Sequence, residues 1–409
     1  MALHWFNPEN DLALACFSPH FIPPASARMM ADELSALPVW WTSAGDTVAV
    51  ASVSEARLLA GQAGGLCPEV EWVGRKDLPA CSEVQPWGWS PLVVNRLLAG
   101  GVAAECLPDE AFLLRYRDWS GRRHAVDMLD YLVRRDSETA RRWPEHLCGE
   151  ACYCTSEQEV VRWVNLYPRT ILKAPWSGSG KGLRLGYGRY ESPLSGWCRR
   201  LLREQGGVVV EPLYDKVADF AMEFYVEGER GVRYVALSEF LTTARGTYAG
   251  NRVASEEAKM SRLTAVVPEA LLECIKQSII CYLTRLFGGG YHGCLGIDMM
   301  LCRTGAGDRI CVHPCVEINL RRTMGHVAAS LGRFVAPSSE ASFVIDYYKD
   351  EKMLRADHDG NLAACPPVIS DGKLLRGYLP LIPVTGCGHY RAAMWAFSGE
   401  DDDGYARNK

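Results

Sequence analysis

Hydrophobic residues fall at two different spacings along this chain. At helical spacing, Leu271, Leu272, Ile275, Ile279 and Leu283 recur every three or four residues, which predicts a helix from Pro268 to Phe287, stopped by Gly288-Gly289-Gly290. At strand length, apolar and β-branched residues gather into short runs bounded by Pro and Gly, such as Thr170 to Lys173 and Gly207 to Glu211. Phe220 to Val226 and Val232 to Leu237 predict an antiparallel pair joined at 227–231. Gly296 to Leu301 and Ile310 to Asn319 predict a second pair across the polar turn 304–308.

These patterns change along the chain, and the changes imply a multidomain protein of mixed α/β and α+β class. Residues 1–110 alternate strand candidates, such as Thr47 to Ala51, with helices, and so predict an N-terminal α/β domain. One of those helices opens at Ser90-Pro91, an N-cap followed by Pro at the first helical position, and closes at Gly100-Gly101. Helical spacing through Leu113 and Leu114, then through Val126, Leu129 and Leu132, makes 111–150 a helical connection. Residues 151–213 and 214–335 read as two lobes built of meandering strands rather than βαβ units. Residues 336–409 carry further strand signals, such as Leu374 to Val384. They read as an extension packed on the second lobe, with a disordered acidic tail from Gly399 to Gly404.

Composition narrows the class. The 409 residues are 48% hydrophobic and 23% charged, which is the balance of a folded protein long enough for several cores. A net charge of −5 gives no electrostatic reason to expect a nucleic-acid partner. No apolar stretch approaches the roughly 18 residues of a membrane span. Met1 to Asn7 lack the basic-then-apolar pattern of a signal peptide, so the expectation is a cytoplasmic protein without a membrane partner. The 16 cysteines sit in apolar segments and are expected to be reduced packing residues. Cys152 with Cys154, and Cys311 with His313 and Cys315, are the tight groups, and neither has a second pair at zinc spacing.

Candidate chemistry concentrates in two places. In Val316-Glu317-Ile318-Asn319-Leu320, alternation points Glu317 and Asn319 to one face and Val316 and Ile318 to a core. Antiparallel pairing would bring Asp298 beside them, and two carboxylates with an amide oxygen suit a hard cation such as Mg²⁺. Alone, the trio is equally an ordinary polar hairpin with Arg321 and Arg322 as salt-bridge partners. The second place is Lys173, at a strand end, followed by Ser177-Gly178-Ser179-Gly180-Lys181-Gly182. Backbone N–H groups of such a turn can approach phosphate oxygens, and the lysines add positive charge. The spacing is that of neither a P-loop nor a dinucleotide fingerprint.

Taken in order, these pieces over residues 105–330 resemble the ATP-grasp superfamily. That family shows a lysine strand with a Gly-rich phosphate loop, then a strand ending in Glu as in Val208-Val209-Val210-Glu211-Pro212-Leu213. An acidic ribose residue follows, then an acidic residue and Glu-x-Asn on adjacent strands. The resemblance implies a multidomain ATP-grasp fold and Mg-ATP as cofactor, with one or two ions (Mn²⁺ suits the same ligands) held by Asp298, Glu317 and Asn319. It implies Lys173 on the α/β-phosphates with the loop Ser177, Gly178, Ser179, Gly180 and Lys181. Glu211 and the Leu213 backbone would take adenine, and Asp219, with Glu223 second, the ribose. Arg321 and Arg322 would clamp the acceptor or the acyl-phosphate oxyanion.

The implied activity is ADP-forming ligation of a small-molecule carboxylate to an amine through an acyl phosphate. A small-molecule kinase and a non-catalytic nucleotide-binding regulatory protein are the alternatives, and the oligomeric state stays open, a homodimer included. Two departures from the family pattern stand out. Arg122 or Arg123 replaces a second lysine before the phosphate-loop lobe, and the interval from Asp298 to Glu317 is long. Asn7 to Asp11 and the loop 244–252 are the segments expected to bind the acceptor.

Overall fold

A computed structural model describes residues 1–134, 137–178, 182–242, 248–305, 309–386 and 388–398. Four parallel strands, β1 (Ala2–Trp5), β2 (Thr47–Val50), β3 (Glu71–Gly74) and β4 (Glu83–Pro86), form a first sheet in the order β3-β2-β1-β4. Helices α1 (Asn10–Cys16), α2 (Ala25–Glu33), α3 (Val53–Gln62) and α4 (Pro91–Ala99) accompany it. α4 starts where the sequence predicts: the Ser90 hydroxyl accepts from the Val93 N–H, and Pro91 stands where its missing N–H costs nothing.

Helices α5 (Glu110–Trp119), α6 (Arg122–Val133) and the short α7 (Glu138–Arg142) lead to a second, antiparallel sheet. Its strands β5 (Cys152–Cys154), β6 (Thr170–Lys173), β7 (Leu183–Gly186) and β8 (Val208–Pro212) run in the order β5-β8-β6-β7. Helices α8 (Glu157–Leu166) and α9 (Leu194–Gln205) close a small apolar core against it through Val160, Val164, Cys198 and Leu201.

The largest sheet has nine strands among the described residues. β9 (Asp215–Glu227), β10 (Val232–Thr242), β11 (Tyr248–Val253), β12 (His292–Thr304) and β13 (Arg309–Asn319) are followed by β14 (Ser339–Tyr347), β15 (Val368–Ser370), β16 (Lys373–Pro380) and β17 (Tyr390–Ser398). Their spatial order is β13-β12-β9-β10-β11-β14-β17-β16-β15. The helices interleaved with them are α10 (Glu256–Thr264), α11 (Glu269–Phe287), α12 (Met324–Leu331) and α13 (Glu351–Ala364). The segment expected to be a polar loop at 244–252 differs: residues 248–252 lie in β11, inside the sheet. Asn251 donates to the Ser238 hydroxyl at 2.8 Å, and Arg252 pairs with Glu340 at 3.1 Å. Polar side chains read as loop residues are satisfied there by neighbouring strands. Residues 244–247 of that segment, and the acidic tail, lie outside the described residues.

Alternation along the central strands decides what each face does. Phe220, Met222, Phe224 and Val226 of β9 and Leu295, Ile297, Met299 and Leu301 of β12 share one face, and α11 buries Leu271, Leu272, Ile275, Ile279 and Leu283 against it. The residues between them, Glu223, Tyr225 and Asp298, are left for the opposite face. No described helix is long and apolar enough to cross a membrane.

Leu283 is fully buried in this contact, whereas Leu114 on α5 is 51% exposed. Leu283→Ala is expected to cost about 2–5 kcal/mol of stability, and Leu114→Ala about 0.5 kcal/mol or less. Denaturant midpoints of the two variants check this, and equal midpoints would remove α11 from the core.

Candidate functional site

The polar face is organised around one cross-strand pair. Asp298 of β12 stands directly opposite Glu317 of β13, and Gly296 opposite Asn319. Side chains so placed lie about 4.5–5.5 Å apart at Cβ. The long interval between Asp298 and Glu317 is absorbed by a register shift between Asp298 and Met300, which leaves the pair in place. Ile318 points to the core as expected, and the Asn319 amide donates to Asp298 at 2.9 Å. Burial, then the nearby carboxylates of Glu317 and Glu223, push the Asp298 carboxyl up to about 7, against the pull of Asn319 and Arg321.

Glu317 is balanced by Arg122, the first residue of α6. Arg122 is buried and also donates to the Ala174 carbonyl and, at 2.8 Å, to the Ser177 hydroxyl, whereas Arg123 is exposed. Of the two arginines that could stand for the second lysine, Arg122 is the one that faces the site. It also ties down the start of the Gly-rich loop. There the Ala174 N–H donates to the Gly182 carbonyl at 2.9 Å, and a Cβ on Gly182 would lie 2.2 Å from the Ser177 hydroxyl. Gly178 packs beside Asp11. Ser179, Gly180 and Lys181 lie outside the described residues.

Lys173, at the end of β6, reaches across to the largest sheet and donates to the Val316 carbonyl at 3.1 Å. It also pairs with Glu211 of β8 at 2.8 Å, both side chains being buried. The Leu213 N–H donates to the Arg169 carbonyl at 3.0 Å, so it is already engaged. Asp219 sits on β9 opposite Met300 and pairs with Lys216. Glu223, the second ribose candidate, lies instead in the sheet's interior at 1% exposure, 2.9 Å from His326 of α12. Only glycine fits above it, because a Cβ on Gly325 would come within 1.9 Å of its carboxylate. Burial opposes a charge on His326, but the contacts with Cys294 and Glu223 outweigh it and hold the imidazole well above its ordinary range.

The two arginines after Asn319 differ in their partners. Arg321 donates to both Asp11 oxygens at 2.9–3.1 Å, to the Asn319 side-chain amide oxygen at 3.0 Å and to the Arg322 carbonyl at 3.2 Å, so its fork is engaged and ties Asn319 to Asp11. Arg322 has no carboxylate partner among the described residues. Its guanidinium stacks 4.8 Å from the Trp41 ring, and it lines a narrow cleft of about 60 Å³ with Tyr225, Cys294, Glu83 and Trp87. The salt bridge considered for both arginines therefore belongs to Arg321 alone. Of the segment expected to bind acceptor, Asn7 donates to the Gly88 carbonyl and Glu9 pairs with Arg96, while Asp11 secures Arg321.

The set fits a hard divalent cation. Two facing carboxylates meet where negative charge is dense enough to keep a proton on Asp298 near neutrality, and a cation relieves that repulsion; the Asn319 oxygen, held by Arg321, joins them only if the amide turns over. Cys311, His313 and Cys315 form no such set: His313 is fully buried beside the Tyr214 ring, and burial pushes it down to about 3. The sequence reading missed Asp11 as the partner of Arg321, the Glu223–His326 pair and Trp41. Each depends on residues far apart in the chain, and no local spacing marks it.

No family model matches this sequence, and no curated protein matches it. Solved structures do. N5-carboxyaminoimidazole synthetase from Staphylococcus aureus, complexed with ADP, is 11% identical, with a TM-score of 0.49 over 100% of this chain and 95% of that one. Biotin carboxylase from Campylobacter jejuni, as its β-γ-ATP complex, is 10% identical, with a TM-score of 0.47 over 97% and 87%. A variant of pyruvate carboxylase from Rhizobium etli is 11% identical, with a TM-score of 0.50 over 98% of this chain and 36% of that one.

Asp298 binds a proton in the folded state up to about pH 7, but near its ordinary value of 3.8 when unfolded. The folded state therefore holds the extra proton between those values, and stability contributed by this group falls as pH rises from about 4 to 7. Asp298→Asn is expected to raise the melting temperature of the ligand-free protein at pH 8 and to change it little at pH 5. A gain independent of pH would show that the carboxyl is not under this repulsion.

Proposed function

This chain has the ATP-grasp fold, and we propose that it is an ATP-dependent, ADP-forming ligase joining a small carboxylic acid to an amine. The observation that supports this reading best is the facing pair Asp298 and Glu317, ringed by Lys173 and Arg122 from two other parts of the chain and by Arg321 just beyond β13. Fixed cations around a carboxylate pair are what phosphoryl transfer requires, since charge accumulates on oxygen and must be met without reorganisation.

In this reading Asp298, Glu317 and Asn319 would hold one or two Mg²⁺ ions, whose charge would offset that on the transferring phosphoryl group. Lys173 turns from Glu211 to the α/β-phosphates, a short swing because its ammonium already lies between the two sheets. Arg122 keeps Ser177 and Gly178 in place as the start of the phosphate loop, which Ser179, Gly180 and Lys181 complete. Glu211 and the Leu213 carbonyl take the adenine edge, and Asp219 takes the ribose. Arg321 orients Asn319, and Arg322, stacked on Trp41 and without a carboxylate partner, takes the acceptor carboxylate. The carboxylate oxygen attacks the γ-phosphorus and ADP leaves. The amine then attacks the acyl carbon, which expels phosphate, and no side chain is acylated.

Mg-ATP is expected to stabilise the protein by about 2.7 kcal/mol at a hundred times its Kd. EDTA and Glu317→Ala should abolish that gain, and a screen of acids with amines should release ADP only when both are present. Stabilisation that ignores Mg²⁺ would sink the metal assignment. A phosphorylated product stable to work-up, formed without amine, would replace the ligase with a kinase.

A further inference from the structure

We propose that Arg117 is a positioning residue for the nucleotide: it seats the Gly-rich loop through Trp176 and so sets the affinity for the phosphates of Mg-ATP. The proposal rests on the phosphate-binding reading of that loop.

Arg117, in the last turn of α5, has no carboxylate partner among the described residues. Its charge is met instead by the end of α1, a helix with no basic residue of its own in the last turn. Nε donates to the Leu14 carbonyl at 2.9 Å and Nη2 to the Ala15 carbonyl at 3.4 Å, two of the carbonyls that a helix end leaves without an intrahelical partner. The same guanidinium lies 4.9 Å from the centre of the Phe17 ring and 4.5 Å from that of Trp176. Both aromatic residues are half-buried, and the attraction between a cation and a ring face is strongest where water is partly excluded.

Trp176 stands between Lys173 and Ser177, at the entry to the loop. Its indole N–H donates back to the Arg117 carbonyl at 2.9 Å, and its backbone N–H donates to the Gln205 side chain at 3.0 Å. The ring lies against Gly121, where a Cβ would come within 3.2 Å of it, and the Pro175 carbonyl accepts from the Arg122 N–H at 3.2 Å. Further along, Gly178 packs beside Asp11 of α1. The loop therefore meets α1 at two points, directly at Gly178 and through the Arg117 side chain at Trp176. Glycines leave a loop many conformations, and most are given up when a phosphate binds. Holding Trp176 removes part of that freedom before the ligand arrives, which raises affinity without any new contact to the ligand.

Mg-ATP and adenosine are titrated calorimetrically into the full chain, adenosine offering the loop no phosphate. Arg117→Ala is expected to weaken Mg-ATP binding about tenfold and to leave adenosine binding unchanged. Trp176→Leu should reproduce that loss, and Arg117→Ala added to it should cost little more, because the two side chains act as one unit. Arg117→Lys keeps the charge without the planar face and should bind Mg-ATP with intermediate affinity. With Trp176→Leu it carries the test if Arg117→Ala does not fold. Unchanged Mg-ATP affinity in these variants would overturn the proposal, as would an equal loss for adenosine, which marks general damage, or losses that multiply in the double variant. If the unaltered chain binds no Mg-ATP, the phosphate-loop reading fails and takes this proposal with it. If that chain binds Mg-ATP and the variants match it, this proposal alone fails.

Discussion

Two carboxylates held face to face inside a protein repel, and the arrangement around Asp298 and Glu317 is the means by which this chain tolerates that repulsion. Each acid has a dedicated partner, a cation for one and a neutral hydrogen-bond donor for the other. Glu317 has Arg122, and Asp298 has the Asn319 amide, itself fixed by Arg321, which in turn is held by Asp11. The relief is incomplete, as the raised Asp298 shows. A structure that leaves such a charge imbalance in place is under-compensated by its own side chains and is suited to bind a cation.

The same charges connect parts of the chain that share no sheet. Asp11 follows the first sheet's opening strand, Arg122 begins α6, Lys173 ends a strand of the second sheet, and Asp298 and Glu317 belong to the third. Each contact spans more than a hundred residues of sequence, and together they bring three sheets to one locus. Breaking a buried pair by removing one partner commonly costs about 3–5 kcal/mol. The interfaces are thereby coupled to the state of the site, and any anion that draws Lys173 from the Val316 carbonyl alters a contact between two sheets.

What makes this polar locus affordable is the apolar face behind it. The side chains that alternate with Glu223 and Asp298 bury completely against α11, so β9 and β12 are fixed in register by packing, and their polar residues have no freedom to slip. Gly296 and Gly325 provide the remaining room: any larger residue at either would collide with the Glu223 carboxylate.

The sequence alone determined the elements and one side of the chemistry. The spacing of Leu271 to Leu283 specified α11, and the alternation in Val316 to Leu320 put Glu317 and Asn319 on one face, because helical and strand periods are local properties of the backbone. The order of Lys173, Glu211, Asp298 and Glu317 along the chain carried the resemblance to the ATP-grasp pattern. Tertiary structure decided which charges meet. It selected Arg122 over Arg123, engaged Arg321 with Asp11 and left Arg322 on Trp41, drew Glu223 beneath α12, and took 248–252 into a strand. Those outcomes rest on through-space contacts between residues distant in the chain, where Coulombic and hydrogen-bond energies depend on separation and burial, and local spacing encodes neither.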